Sequence, residues 1–279
     1  GKMGEEETGY SCVSIYHDYA YDKKQSIHGA VLDWVYSTFG VFAYSTELWS
    51  LTRKAGVEIT DYIGWMKDHP AADDVAMAKA LDEHVGGAGI LEWTPFDHPQ
   101  FGDVEIGGWD YKFAWQNPPG SLLEEVTAGN AGFIVRAMGT SPRIVIDSTS
   151  VESLGADLYR VAAIVQNTGF LPTYVSEQGK ATGRVKPVKL SLNLGDDARL
   201  ITGKQEQEIG HLDGRANQYG SMGSAPQNGN LSRGRAEWIV SGPAGTRIEL
   251  TACAAKAGTV TATVVLPSPI ESAADAARN

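Results

Sequence analysis

The chain has 279 residues, 42% of them apolar, a content typical of a folded globular protein. Its 34 acidic and 23 basic residues give a formal charge of −11. This charge excludes nucleic acid as a partner, because binding a phosphate backbone needs a basic surface. No run approaches the roughly 20 consecutive apolar residues that cross a bilayer, so no membrane span is predicted. Cys12 and Cys253 have no ligand spacing around them and are predicted to be two separate buried thiols.

Two β-prone segments occur in the first third of the chain. Residues 10–16 form the first, and residues 40–48 form the second, in which side chains alternate between two faces. Glu47 lies near the end of the second segment, on a face of small residues. A carboxylate held there in a partly apolar pocket is suited to act as a general base. From the pattern alone, a solvated glutamate at a strand edge is the alternative.

Two helices are predicted before residue 140. The first begins at Asp73, carries apolar side chains at helical spacing and ends at Gly86. The second begins at Ser121, which stands at capping-box spacing from Glu124, and it ends at Gly139.

The composition changes after Pro142, where short apolar runs alternate with turn residues. We therefore predict two domains, residues 1–140 and residues 141–279. Strands are predicted in the second domain at residues 143–146, 158–166, 188–194, 236–240, 247–252 and 259–266. Because no long helix separates these strands, the second domain is predicted to be an all-β, Ig-like sandwich. Residues 209–231, rich in Gly, Asn, Gln and Ser, are predicted to form a long loop on it, and the tail after Pro269 is predicted to fray.

The most specific motif lies between residues 28 and 48. Asp33 and Trp34 follow a glycine-containing stretch, and an apolar run then ends in Ser-Thr-Glu-Leu at Glu47. This segment resembles the one that ends in the catalytic glutamate of carboxypeptidase A-like zinc carboxypeptidases, at the family's spacing. The resemblance covers about residues 10–140. It implies an α/β fold class for the first domain, as an incomplete, C-terminal portion of a carboxypeptidase-like catalytic domain.

The resemblance also implies roles for individual residues. Glu47 would activate a zinc-bound water and pass its proton to the leaving amine. Leu32 and Asp33 would bind substrate. Leu32 stands where the family sets its preference for the substrate's C-terminal side chain, and it favours an apolar one because an apolar pocket leaves a cation unpaired. That Leu32 is an ordinary core residue is the alternative. Three tyrosines precede the motif, namely Tyr16, Tyr19 and Tyr21. Tyr21 is favoured as the residue that closes over substrate.

The family's zinc ligands are not recognisable in this sequence. The family uses His-x-x-Glu and a later His, all upstream of this segment, and no histidine here has Glu three positions on. The histidines are His17, His28, His69, His84, His98 and His211. We therefore predict no metal site in this chain and expect zinc only in a full-length enzyme.

Two further stretches resemble known pieces. Residues 96–109 are similar to a stretch in larger bacterial members of the carboxypeptidase family, and their glycines fit a turn where the backbone passes close to its neighbour. Residues 161–169, which end in Gln-Asn-Thr-Gly, resemble strand-and-turn pieces of bacterial Ig-like accessory domains. The first stretch is interpreted as structural, and the sandwich fold assigns no function to the second.

Two hypotheses follow. The leading one is the C-terminal portion of a secreted or periplasmic zinc metallocarboxypeptidase that cleaves C-terminal residues from peptide substrates, with any export signal upstream of Gly1. The chain alone is predicted to be inactive, and an unpaired sheet edge at Glu47 would favour a homo-oligomer. The alternative is a non-catalytic accessory module that attaches to a cell surface or polysaccharide. In that case Trp238 or Tyr219 could face a glycan, although a core tryptophan and a loop tyrosine are the simpler interpretation.

Overall fold

The structure, a computed structural model, describes residues 1–18, 24, 28–218 and 231–268. Its α-helices are α1 (Lys2–Thr8), α2 (Ile15–Asp18), α3 (Val31–Phe39), α4 (Leu51–Lys54), α5 (Tyr62–Lys67), α6 (Ala71–Val85), α7 (Leu123–Met138) and α8 (Glu177–Ala181). Its strands are β1 (Ile90–His98), β2 (Gly102–Trp109), β3 (Ile144–Gly155), β4 (Leu158–Asn167), β5 (Lys189–Asn193), β6 (Arg199–Thr202), β7 (Glu206–Glu208), β8 (Arg233–Ser241), β9 (Arg247–Ala254) and β10 (Gly258–Val265). Within these described ranges, none of the helices is both long and apolar enough to cross a membrane.

The chain divides into two compact units. The first unit consists of Gly1–His28 and Ser45–Ala137, and the second consists of Gly29–Tyr44 and Met138–Asn279. The predicted mixture of helices and sheets, with a β-rich C-terminal part, is confirmed. All described strand pairs are antiparallel. The carboxypeptidase-like character of the first domain and the Ig-like character of the second stay predictions.

The first unit has a small core between its short helices. Its buried cluster consists of Leu51, Trp65, Met77, Leu81 and Ala114. The Trp65 indole on α5 donates a hydrogen bond from Nε1 to the carboxylate of Asp73 on α6, over 2.8 Å. This bond ties the two helices together, because a buried indole N–H needs an acceptor.

The helix predicted from Asp73 is α6, which begins two residues earlier, at Ala71, and ends as predicted before Gly86. Gly86 adopts a left-handed conformation, with φ of 58°, that a glycine takes without a Cβ clash. The helical pattern places Val75, Ala78, Leu81 and Val85 on one side of α6. Of these, Leu81 is buried, together with Met77, whereas Val75 at the start of the row is exposed.

The second predicted helix begins later than expected. A 3₁₀ turn covers Gly120–Leu122, and α7 starts only at Leu123. The hydroxyl of Ser121 donates to the backbone carbonyl of His84 over 3.2 Å, so the predicted capping box is wrong. The end of α7 at Met138, just before Gly139, is confirmed.

An antiparallel hairpin, β1 and β2, occupies a region for which no strands were predicted. Within residues 96–109, the predicted close backbone approach occurs at Gly107. A Cβ on Gly107 would lie 2.7 Å from the Cα of Trp93 and 2.9 Å from the backbone oxygen of Glu92. The hairpin register shifts between Leu91 and Thr94, opposite this glycine.

The second unit contains two four-stranded antiparallel sheets, with strand orders β10-β9-β5-β7 and β3-β4-β8-β6. Inward residues alternate along the strands, so that Val161 pairs with Trp238 in one sheet and Leu192 pairs with Leu250 in the other. Side chains from both sheets form one buried cluster of aliphatic and aromatic residues. Trp238 is 1% exposed, so its interpretation as a core residue is confirmed.

Three predictions about the chain are wrong. The structure assigns no strand to residues 40–48, and residues 10–16 run in irregular backbone into α2. Alternation alone does not make a strand, because a strand also needs a neighbour to hydrogen-bond. Cys12 and Cys253 are both exposed free thiols rather than buried ones. The loop predicted at residues 209–231 and the tail after Pro269 fall largely outside the described residues.

Candidate functional site

Leu32 and Asp33 lie in the first turn of α3, within the second unit, where Leu32 is half-buried and Asp33 is exposed. The far end of this helix is anchored at Gly40, whose carbonyl accepts a hydrogen bond from the Ser176 hydroxyl over 2.7 Å. Gly40 has a φ of 63° and packs directly on the backbone of Gly179, so any side chain at position 40 would collide. The anchoring explains why the Asp33-Trp34 motif belongs to the β-rich unit.

Glu47 lies in the first unit, in irregular backbone, and is exposed. The partly apolar pocket at a strand end that was predicted for it is therefore absent from this position. Tyr19 and Tyr21 lie outside the described residues, and Tyr16 is exposed on α2. Across residues 1–18, 24, 28–218 and 231–268, no three His, Cys, Asp or Glu side chains are grouped so that they could hold a metal ion.

A cleft of about 360 Å³ opens in the first unit beside Trp49, two residues after Glu47. Trp49 has a φ of 80°, a left-handed conformation that is unusual for an aromatic residue. Two hydrogen bonds hold it there: its backbone N–H donates to the Tyr10 hydroxyl over 3.0 Å, and its indole N–H donates to the backbone oxygen of Ala114 over 2.9 Å. Strain of this kind persists only where the surroundings fix it, and it concentrates at functional sites.

The charged groups of the cleft are unequally paired. Lys54 forms an ion pair with Glu125 over 3.2 Å, and Glu7 is held by Arg136 over 2.8 Å. The Arg53 guanidinium instead lies over the ring of Tyr10, 5.4 Å from its centroid. Among the described residues it has no carboxylate within 4.0 Å.

A second group of polar side chains lies in the β-rich unit around Tyr174. The ring of His211 meets the Tyr174 ring edge-on, with centroids 5.6 Å apart, and the Lys180 ammonium lies 4.8 Å from the Tyr174 ring centroid. Asn217 donates to the Tyr174 hydroxyl over 3.2 Å. Burial raises the pKa of Tyr174 and the pKa of Asp213. Burial and the positive charge of Lys180 lower the pKa of His211.

His211 in this group is fixed by its backbone neighbours. Leu212 donates its N–H to the Thr173 hydroxyl and accepts from the Thr173 N–H, both over 2.9 Å. The Nδ1 atom of His211 is buried and has no hydrogen-bond partner among the described residues. Nearby Val175 has a φ of 62°, which is strained for a β-branched side chain. We interpret this group as structural and titratable.

Asn167, from the Gln-Asn-Thr-Gly motif, is a buried hydrogen-bond centre at the end of β4. Its side-chain oxygen accepts from the backbone N–H groups of Arg143 and Gly169, each over 3.0 Å. Its amide nitrogen donates to the backbone oxygen of Leu171 over 2.9 Å, with longer contacts to the carbonyls of Leu212 and Asp213. The motif therefore joins three loops at one end of the sheets.

Sequence reasoning did not identify Tyr10, Trp49 and Arg53 as neighbours. Tyr10 and Trp49 are 39 positions apart, and no spacing rule connects them. A local signal was present for Arg53, because Ser50 caps α4 by accepting from the Arg53 N–H and so fixes the turn that presents this residue.

Comparisons with known proteins identify one family. Residues 143–265 match the family described as Domain of unknown function (DUF8731). No curated protein matches this chain.

Distant similarities to solved structures include the following two. The GAE domain of yeast GGA1 is 12% identical, with 45% of this chain and 98% of that chain covered and a TM-score of 0.28. A chain of the archaeal flagellum of Methanospirillum hungatei strain JF1 is 13% identical, with 53% and 85% covered and a TM-score of 0.23. At these TM-scores neither similarity supports an argument about fold or function.

Proposed function

We propose that this chain is the C-terminal portion of a secreted or periplasmic metallocarboxypeptidase that removes C-terminal residues from peptides. The observation that carries the proposal is the uninterrupted spacing from Asp33-Trp34 to Glu47, which resembles the segment of carboxypeptidase A-like enzymes that ends in their catalytic glutamate. In the longer protein, Leu32 and Asp33 would contact the substrate, and Leu32 would favour an apolar terminal side chain.

The surface of the first unit supports its being part of a larger domain. Its core has five buried apolar residues, whereas Ile134 and Val135 on α7 are 57% and 68% exposed. Phe101 and Trp93 on the hairpin are also mostly exposed. Large apolar side chains are normally covered when they are this numerous. We propose that the remaining part of the catalytic domain covers them in the full-length protein.

Glu47 is proposed to take a proton from the attacking water and to deliver it to the leaving amine. Its exposure leaves the carboxylate accessible to a substrate. The resemblance implies a zinc ion in the full-length enzyme, but the described residues of this chain do not fit one, because they contain no cluster of three ligands. We therefore derive no step through the metal.

The second unit is proposed to be an Ig-like β-sandwich that accompanies the catalytic domain. Its two sheets share one core, and this is the arrangement expected of a sandwich. The alternative, a non-catalytic module for a cell surface or a polysaccharide, makes a different prediction for Glu47, since its carboxylate would then be dispensable.

The proposal is tested on the full-length gene product with peptides that end in Phe or in Lys, by measuring release of the free amino acid. Glu47→Gln should lower kcat about 100-fold or more, because it removes general-base catalysis while keeping the side-chain shape. Glu58→Gln, at an exposed glutamate of the same unit, is the matched control and should leave kcat unchanged. Full activity of the Glu47→Gln enzyme, or no peptidase activity in the wild type, would refute the proposal.

A further inference from the structure

We propose that the cleft formed by Tyr10, Trp49 and Arg53 binds a small monocarboxylate that carries an apolar group. The cleft belongs entirely to the first unit and has a volume of about 360 Å³, within the range of small-molecule sites. Binding there does not depend on peptide hydrolysis at Glu47, and the experiment below detects it without any activity measurement.

Two hydrogen-bond donors in the cleft have no acceptor among the described residues. The Tyr10 hydroxyl already accepts from the Trp49 N–H over 3.0 Å, which leaves its own proton free to be donated. The Arg53 guanidinium makes a cation–π contact with the Tyr10 ring but no hydrogen bond and no ion pair in the described part of the chain. Both groups line the same cleft, and a guanidinium and a phenol O–H are both donors that a carboxylate accepts from.

The neighbouring charges favour a ligand with a single negative charge. Glu7 and Glu125 line the cleft but are already paired, with Arg136 and Lys54 respectively. The unmatched positive charge is therefore that of Arg53 alone. A dianion such as a phosphate monoester would bring a second negative charge close to two carboxylates, which repel it.

The lining of the cleft is mainly polar, and Trp49 and Val126 of α7 supply its large apolar side chains. Trp49 is held in place by its two hydrogen bonds. The end of α1 packs tightly against α7, since a Cβ on Gly129 would lie 2.7 Å from the backbone oxygen of Glu7. When a site is already formed before binding, its side chains lose little conformational entropy on binding. A small ligand can therefore bind with measurable affinity.

The test uses the whole chain and 4-fluorophenylacetate, with binding followed by fluorine NMR titration. The methyl ester of the probe, which lacks the charge, and 4-fluorophenyl phosphate, a dianion, are the ligand controls. Arg53→Gln and Tyr10→Phe are the test variants. Arg184→Gln, at an exposed arginine of the second unit, is the matched control.

We expect Arg53→Gln to weaken binding about tenfold or more, since a charge-assisted hydrogen bond is lost. Tyr10→Phe should weaken it severalfold, Arg184→Gln should have no effect, and both control ligands should bind about tenfold more weakly than the probe or not at all. Equal affinity for the acid and its ester in the wild-type protein would overturn the proposal without reference to any variant. So would an unchanged affinity in a folded Arg53→Gln protein, tighter binding of the phosphate, or no binding of the probe at millimolar concentrations.

Discussion

Replacing Asn167 by alanine is expected to destabilise the second unit by much more than one hydrogen bond, because this 2%-exposed side chain satisfies backbone groups of separate loops. The substitution removes the acceptor for the N–H groups of Arg143 and Gly169 and the donor to the Leu171 carbonyl. The bond from Gly169 is fully buried, so water cannot replace the missing acceptor there.

The magnitude follows from these three short bonds. A net contribution of about 1 kcal/mol for each, together with a penalty of about 1–3 kcal/mol for a buried N–H left without an acceptor, gives about 4–6 kcal/mol. With a urea dependence of about 2 kcal/mol per M, the unfolding midpoint should fall by about 2–3 M. Asn167→Asp should not restore stability, because a carboxylate keeps the acceptor but faces the Leu171 carbonyl without a donor.

The assay is urea unfolding read by pulsed hydrogen exchange at peptides from β4 and β8, which reports on the second unit alone. Asn193→Ala is the control, since Asn193 is exposed and its side chain makes one long contact, 3.4 Å from the Gly195 N–H. That variant should stay within about 0.5 kcal/mol of the wild type. A change of the same small size for Asn167→Ala would refute the role assigned to this side chain.

Two further predictions concern the same unit. Gly169→Ala should destabilise it by about 1–3 kcal/mol, because the new Cβ would lie 2.5–2.6 Å from backbone atoms that cannot move aside, and Asn193→Ala again serves as the control in the same urea assay. For His211 the folded pKa is lowered below its usual 6.5, so its contribution to the free energy of unfolding is fully present above pH 6.5 and is lost as the pH falls towards the folded pKa. His211→Gln should remove this loss of stability from a plot of the urea midpoint against pH. Both proteins are measured in an Asp213→Asn background, because Asp213 has a raised folded pKa and its protonation would increase the stability as the pH falls. Parallel pH profiles with and without His211 would contradict its assignment.

Protonation of His211 is unfavourable for a geometric reason as well. A neutral ring with its proton on Nε2 leaves only a lone pair at the buried Nδ1, whereas the imidazolium places an N–H there without an acceptor among the described residues. Lys180 adds a positive charge nearby that also lowers the pKa of His211, whereas Glu177 and Glu208 act in the opposite direction.

The strands of the second unit were predictable because each segment with period-two alternation there also has a neighbouring strand to hydrogen-bond with. The predicted strand at residues 188–194 became β5 with little change, since Leu190 and Leu192 both face the shared core. The same alternation at residues 40–48 did not produce a strand, because hydrogen-bond partners are a property of the whole fold. The hairpin of β1 and β2 was missed because Pro95 interrupts the strand pattern.

The candidate sites were predictable only where their residues are close in sequence. The order Asp33, Trp34 and Glu47 is visible in the chain, but the cleft around Trp49 depends on Tyr10, which no periodic pattern connects with it. The importance of Asn167 was hidden for the same reason, since its partners Leu171 and Leu212 are defined by loops rather than by spacing.

The edge strands of the second unit limit how it can meet other chains. One sheet ends in β7, which has three residues including Glu206 and Glu208, and the other ends in β6, whose four-residue ladder is interrupted between Leu200 and Thr202. The opposite edges, β3 and β10, lie beside each other. At β6 and β7, an incoming strand from another molecule therefore finds a template of only three or four residues, charged or irregular. Such short templates do not propagate intermolecular β-structure, so these two edges resist pairing with strands of other chains.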